Sequence, residues 1–289
     1  MKYNNPISVH LLPIGAMLLI IAGSCNSKNK QALNQTSADS TKVQAFTGDS
    51  TKRTVITQKY SNSVTKAEIA VKGNKRDGIT RNYHEDGTLM SEINYVNNEK
   101  DGLSRDFYPK GKVRMEVMYK HGIMQGEAKW HYETGEVYRL TPYVNGKAEG
   151  IQKEFYKDGK LKAELPHKSG NSMPGLKEYN LKGELVSQPS IVITELDKIA
   201  MEGKFVLKMH LSNHSRNVKW YEGDLKDWSL FPKALTQIND DNAGDGTLIF
   251  PVNRGSVVMK TITIYAVATT EMGNELVLKK SHDLAYKGL

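Results

Sequence analysis

Apolar and polar residues alternate along most of this chain with a period of two. Over residues 112–119, Val113, Met115, Val117 and Tyr119 fall on one side, and Lys112, Arg114, Glu116 and Met118 on the other. That is the pattern of a strand with one face covered. It recurs far downstream. Phe205, Leu207, Met209 and Leu211 alternate with Val206, Lys208 and His210, and Ile262, Ile264 and Ala266 with Thr261, Thr263 and Tyr265. Between such segments stand turn residues. Pro109-Lys110-Gly111 separates predicted strands over Leu103–Tyr108 and Lys112–Tyr119. Glu85-Asp86-Gly87, Glu133-Thr134-Gly135 and Lys157-Asp158-Gly159 occupy the equivalent places. Glycine there supplies the positive φ of a tight hairpin. The expectation is an all-β protein.

The alternation repeats every 24 residues. Gly87, Gly111, Gly135, Gly159 and Gly183 keep that step, as do Gly78, Gly102, Gly126 and Gly150, with Gly175 one residue late. Side-chain columns follow the same phase. Tyr83, Phe107, His131, Phe155 and Tyr179 form one, and His84, Tyr108, Tyr132 and Tyr156 the next. Leu89, Val113, Val137, Leu161 and Leu185 form an aliphatic column. Glu92, Glu116 and Glu164 form an acidic column broken by Leu140, and Tyr95, Tyr119 and Tyr143 a last one continued by His167. Tyr60, Glu68 and Val71 keep the phase upstream without the glycines, as a degenerate capping unit would. Each unit cannot bury its apolar face alone, so units stack. About five hairpin units, or ten strands about 4.8 Å apart, make an antiparallel meander roughly 45–50 Å long.

The pattern Gly-x4-Phe/Tyr-Tyr-x2-Gly-x-Leu/Val-x2-Glu-x2-Tyr, met as Gly102, Phe107, Tyr108, Gly111, Val113, Glu116 and Tyr119, resembles the MORN-repeat variant family. The resemblance spans residues 76–187, or 60–187 with the weak first unit. It implies the fold more specifically than the function. Some bacterial relatives are described as antitoxins, and eukaryotic ones are linked to membrane phospholipids and to scaffolding.

From Ser190 the period stops. Strand-like segments follow at Ile191–Thr194, Lys204–Leu211, Val218–Glu222, Thr247–Phe250, Val257–Thr269 and Glu275–Lys279, with Gly273-Asn274 turning the last two. Their number and spacing suit an immunoglobulin-like β-sandwich with Trp220 in its core. It has no disulfide, because Cys25 is the one cysteine of the chain.

Charge and the N-terminus change the picture next. The net charge is +8, but residues 76–187 hold 18 basic and 17 acidic side chains and residues 188–289 hold 12 of each. The excess lies in the leader and in residues 26–75, so the folded part lacks the clustered cations of a nucleic-acid groove. Lys2, the apolar run Ile14–Ile21 and Ala22-Gly23-Ser24-Cys25 have the shape of a cleaved secretory signal ending in a lipobox. Cys25 is then the lipidated residue, held by several acyl chains. By resemblance to enterobacterial sorting rules, Asn26 argues against retention in the inner membrane, and Ser27-Lys28-Asn29-Lys30 stands where Bacteroidota-type surface-export signals usually place acidic residues. The expected place is the periplasmic face of the outer membrane. Residues 26–55 are rich in Ser, Thr, Asn, Gln and Lys and read as a disordered tether. No later apolar run reaches the 18 residues of a spanning helix.

No constellation of catalytic type emerges. Asn213-His214-Ser215 is similar to a tripeptide of SET-domain methyltransferases, but Arg216-Asn217-Val218 follows where Pro-Asn should, and no methyl-donor Gly-x-Gly precedes it. Asp240-Asp241-Asn242-Ala243-Gly244-Asp245-Gly246 misses the calcium-loop spacing. No histidine pair has His-Glu-x-x-His spacing and no serine lies in Gly-x-Ser-x-Gly. The aromatic columns, with Tyr83, Phe107, Tyr108, Tyr132, Phe155, Tyr156 and Tyr179, form either the packed face of the sheet or a ligand-binding surface. The glutamate column reads as cross-strand charge pairing. The domains expected are 1–25 (signal), 26–55 (tether), 56–187 (repeats) and 188–289 (sandwich). The function expected is non-enzymatic: a lipid-anchored, monomeric envelope scaffold that binds a protein partner, without cofactor, metal or nucleic acid. Lipid-headgroup or glycan binding, and an immunity or antitoxin-like role, are the alternatives.

Overall fold

The computed structural model describes residues 51–241 and 243–288, which fall in one compact unit. Cys25, the tether up to residue 50 and Asn242 lie outside the described residues. The first strand, Arg53–Lys59, starts inside the segment read as tether.

From that strand to Lys177–Glu178, the repeats form one 14-stranded antiparallel sheet in chain order. The strand number exceeds the ten expected because three strands are interrupted and the weak first unit brings the count of uninterrupted strands to eleven. Ile123–Met124 is followed by Gly126–His131, Lys147–Ala148 by Gly150–Phe155, and Asn171–Ser172 by Lys177–Glu178. Two kinds of turn alternate along the meander. At the first, Gly87 N–H donates to the His84 carbonyl (2.9 Å) and His84 N–H to that of Thr88 (2.9 Å), with Gly87 at φ +85°. The same pair of bonds closes the hairpins at Tyr108, Tyr132, Tyr156 and Asn180. This is a type I turn followed by a left-handed residue, which glycine takes without steric cost. At the second, Asn97-Asn98, His121-Gly122, Asn145-Gly146 and Ser169-Gly170 have both central residues at positive φ. That geometry matches the natural strand twist.

The other glycine series lies at bulges. A Cβ on Gly78 would stand 2.9 Å from the Ala70 side chain, and one on Gly102 2.6 Å from that of Asn94. The pairing shifts register at these places. Glycine is needed there because the neighbouring strand's side chain lies over the bulge.

The C-terminal region has two sheets. Ile191–Lys198, Lys204–Leu211 and Gly246–Pro251 form one. Thr236–Ile238, Lys219–Glu222, Val257–Thr269 and Glu275–Lys287 form the other, in that order. Phe205, Leu207, Met209 and Leu211 from the first meet Trp220, Ile262, Ile264 and Ala266 from the second in one core. Each of the Phe, Leu, Met and Ile side chains contributes about 1.5–3 kcal/mol when buried. Trp220 is fully buried, and its indole N–H donates to the Gly244 carbonyl at 2.9 Å. A Cβ on Gly246 would come within 2.8 Å of the same ring. Three features depart from expectation, the first being that the region's opening strand runs to Lys198 instead of Thr194. Thr236–Ile238 is an additional strand, and the last strand runs to Lys287 instead of Lys279. Its polar second half is held by pairing with Val257–Ile264.

The last repeat is locked to this region. Ala163, Leu165 and Leu176 cluster with Leu276. Beside them the Glu178 carboxylate is 2% exposed. It accepts from Thr270 Oγ1 (2.6 Å), Asn274 Nδ2 (2.8 Å) and Gln188 Nε2 (3.1 Å). Asn171 Nδ2 donates to the Trp228 carbonyl (2.7 Å).

Candidate functional site

Strand alternation puts the acidic column on one face of the repeat sheet, and the register turns it into a continuous row. Directly opposite neighbours run Glu68, Arg81, Glu92, Arg105, Glu116 and Lys129, then Leu140, Lys153, Glu164 and Lys177. Acid and base alternate except at Leu140. Arg81 donates to Glu92 at 2.8 Å and lies 3.9 Å from Glu68. Arg105 lies 3.6 Å from Glu116 and 4.0 Å from Glu92, and Lys177 3.6 Å from Glu164. The Glu92 hydrogen bond and its charge hold the Arg81 guanidinium above its usual range. Opposite charges facing each other across strands contribute roughly 0.2–1 kcal/mol per pair.

The aromatic column borders this row at the mouth of each hairpin. Tyr83, Phe107, His131 and Phe155 pair with Leu89, Val113, Val137 and Leu161, and Tyr179 bridges to Leu185. Where the column has a donor, it serves the acid of the row. Tyr83 Oη donates to Glu68 (2.8 Å), Tyr179 Oη to Glu164 (3.1 Å), and His131 Nε2 lies 4.0 Å from Glu116. Burial first, and then the Glu68 bond, raise the Tyr83 phenol above its ordinary value.

The adjacent tyrosines have a different task. Tyr60, Tyr108, Tyr132 and Tyr156 donate their hydroxyls to the backbone carbonyls of Tyr83, His131, Phe155 and Tyr179, at 2.6–2.8 Å. Each tyrosine thus clips its hairpin to the next unit. Burial raises the Tyr108, Tyr132 and Tyr156 phenols, keeping them protonated as donors. Of the seven aromatic residues singled out from sequence, Tyr108, Tyr132 and Tyr156 spend their hydroxyls on these clips, and Tyr83 and Tyr179 on glutamates. What they leave to a visitor is ring surface. Phe107 and Phe155 are half-buried.

A third row on the same face is largely apolar and open. Ile79, Met118 and Ile151 are 46%, 44% and 47% exposed, and Leu103 stands opposite Met118. Ile79, Leu103, Glu92 and Arg105 line a shallow groove of about 130 Å³. The opposite face is more closed. Ala67, Thr80, Ser91, Val117, Ala128, Thr141 and Ala163 are all buried there. Cation–ring pairs, Arg76 on Tyr95 (4.1 Å) and Arg139 on Trp130 (4.0 Å), also form.

Elsewhere the motifs weighed from sequence are local turns. Ser215 N–H and Oγ both donate to Asn213 Oδ1 (3.2 and 2.9 Å), and the His210 and His214 rings stack at 4.9 Å. Asp241 Oδ1 accepts from the backbone of Ala243 and Asp245 (2.9 and 3.0 Å), which also holds its carboxyl below the usual range. Among the described residues no group of three or more His, Cys, Asp or Glu is placed to hold a metal ion. At the joint, Asn171, Ser172, Lys219, Tyr221, Phe231 and Glu275 line a polar cleft of about 250 Å³.

A search of curated proteins finds no match to the chain. A family model does match: residues 76–97, 100–121, 124–145 and 148–169 each fit the MORN repeat variant. The four segments fall on the hairpin units that carry the row and most of the clips. Residues 76–169 of the sheet are therefore similar to four consecutive MORN repeat variants.

Proposed function

We propose that this chain is a lipid-anchored bacterial envelope protein whose repeat sheet is a scaffold for a protein partner. The single observation that carries the reading is the repeat face itself: an open, regular surface of aromatic, charged and apolar rows that continues unit after unit. The clefts at the joint and between Ile79 and Leu103, about 250 and 130 Å³, are smaller than the about 300–1,000 Å³ of drug-sized ligand pockets. A repeat built on nearest-neighbour contacts suits an extended binding surface. MORN repeats commonly serve as protein- or membrane-binding scaffolds and are generally non-enzymatic.

In this proposal Cys25 carries the lipid, and residues following it hold the sheet away from the periplasmic face of the outer membrane. The C-terminal region is an immunoglobulin-like sandwich, a reading supported by the strand order of its two sheets, and it closes the last repeat.

Metabolic labelling with a fatty acid tests the anchor. It is expected to mark the wild type and not Cys25→Ala, and an unlabelled wild type overturns that part. Crosslinking of the tagged, lipidated protein in cells tests the scaffold. Binding to liposome or glycan panels without a protein partner would replace it with a ligand-binding role.

A further inference from the structure

The charged row has one defect, and the defect is chemically specific. Leu140 lies directly between Lys129 and Lys153, where the pattern on either side puts an acid. In the structure the neighbouring acids face other groups. Glu116 faces Arg105 (3.6 Å) and His131 (4.0 Å). Glu164 faces Lys177 (3.6 Å) and accepts from Tyr179 (3.1 Å). Among the described residues Lys129 forms its ion pair with Glu127 of its own strand, at 3.8 Å with both side chains about half exposed. Lys153 makes no ion pair among the described residues.

The two lysines stand two strands apart, roughly 10 Å by sheet spacing. Their flexible stems can converge above Leu140 on one anionic group. The half-buried leucine gives that point an apolar floor, where a charge pair is screened less than in open water. The open residues Met118 and Ile151 lie on the same face and offer contact area for whatever brings the anion.

We propose that this gap is the acceptor for a carboxylate supplied by a protein partner, so that an aspartate or glutamate side chain completes the row in trans. This rests on the scaffold reading and adds the chemistry of the contact. A protein is favoured over a lipid surface because the row around the gap is charge-balanced. An anionic membrane would have to approach Glu92, Glu116 and Glu164 to reach two lysines.

The test uses the full chain and a hexaglutamate peptide, joined by carbodiimide, which couples lysine amines to carboxylates at zero length. Adducts mapped by mass spectrometry are expected on Lys129 and Lys153 at least tenfold above the exposed Lys110 and Lys120. In Leu140→Glu, which completes the row within the chain, they are expected to fall at least tenfold. Lys153→Gln is a second variant that leaves Leu140 untouched, and it should lower the Lys129 adduct several-fold. An even spread of adducts over the surface lysines overturns the proposal. So does binding to phosphatidylglycerol vesicles that Leu140→Glu abolishes while hexaglutamate labelling stays at background. If a partner is nevertheless captured on residues 76–187 in cells, only the carboxylate assignment falls. If no partner is captured there, the scaffold reading falls with it.

Discussion

The two regions of this protein solve the same problem in opposite ways. The C-terminal sandwich packs its large side chains into an inter-sheet core, with Trp220, Leu207, Met209 and Ile264 fully covered, and a second cluster around Tyr265, Phe231 and Val277. The repeat sheet buries mostly small or polar residues, such as Ala67, Thr80, Ser104, Ala128 and Thr141. Its cohesion is distributed among contacts that recur in each unit: tyrosine clips, turn glycines and the charged row. Clusters of large side chains shared by many strands make stability global, whereas nearest-neighbour contacts make it approximately a sum over units. The arrangement leaves one face of the sheet free to be a surface.

That contrast can be broken most forcefully at Trp220. Trp220→Ala is expected to cost about 3–5 kcal/mol and to unfold the sandwich while the repeats keep their strand signal. Circular dichroism with limited proteolysis reads both. Loss of the repeats together with the sandwich would show one shared core.

The joint comes next. Glu178→Ala removes the acceptor of Thr270, Asn274 and Gln188. A buried donor left unpaired costs about 1–3 kcal/mol. Calorimetry is expected to show the unfolding of the two regions separating, with Glu178→Gln restoring part of the coupling.

Within the repeats, Tyr132→Phe is expected to cost about 1 kcal/mol, and Tyr132→Phe with Tyr156→Phe about twice that in chemical denaturation. His84 stands where Tyr60, Tyr108, Tyr132 and Tyr156 stand in four other units. His84→Tyr is therefore expected to raise stability by up to about 1 kcal/mol. If no loss follows from Tyr132→Phe, the clips hold nothing.

The smallest effect is a pH dependence near the joint. Burial, reinforced by Arg139, holds the His167 imidazole below its ordinary 6.5, against the Asn171 backbone and Glu275. The unfolded chain then binds this proton first as pH falls below about 6.5. Stability is full above that value and is lost as pH falls towards the folded-state pKa. Melting temperature in wild type should decline over that window, and His167→Phe should flatten the decline.

The sequence showed some of this and hid the rest for physical reasons. Gly87 and its equivalents were legible because a left-handed turn position is a local demand on one residue. The Glu92 column was legible as charge pairing because cross-strand partners are charged side chains. The clips were not, since the acceptors of Tyr108, Tyr132 and Tyr156 are carbonyls, which leave no mark on residue type. Gly78 and Gly102 stood out as periodic, but only the register shows which side chains, Ala70 and Asn94, lie over them. Glu178 reads as one more polar residue until the fold brings Asn274 to it from 96 positions away. Thr236–Ile238 is too short to show alternation. The break at Leu140 is visible in the column, yet its meaning depends on Lys129 and Lys153 being its cross-strand neighbours.

The central claim, that the repeat face holds a protein, is tested most directly by crosslinking the tagged, lipidated protein in cells and mapping the joined peptides by mass spectrometry. The expected result is a single abundant envelope protein joined to residues 76–187. Only lipids on that surface, or no stoichiometric protein at all, would contradict it.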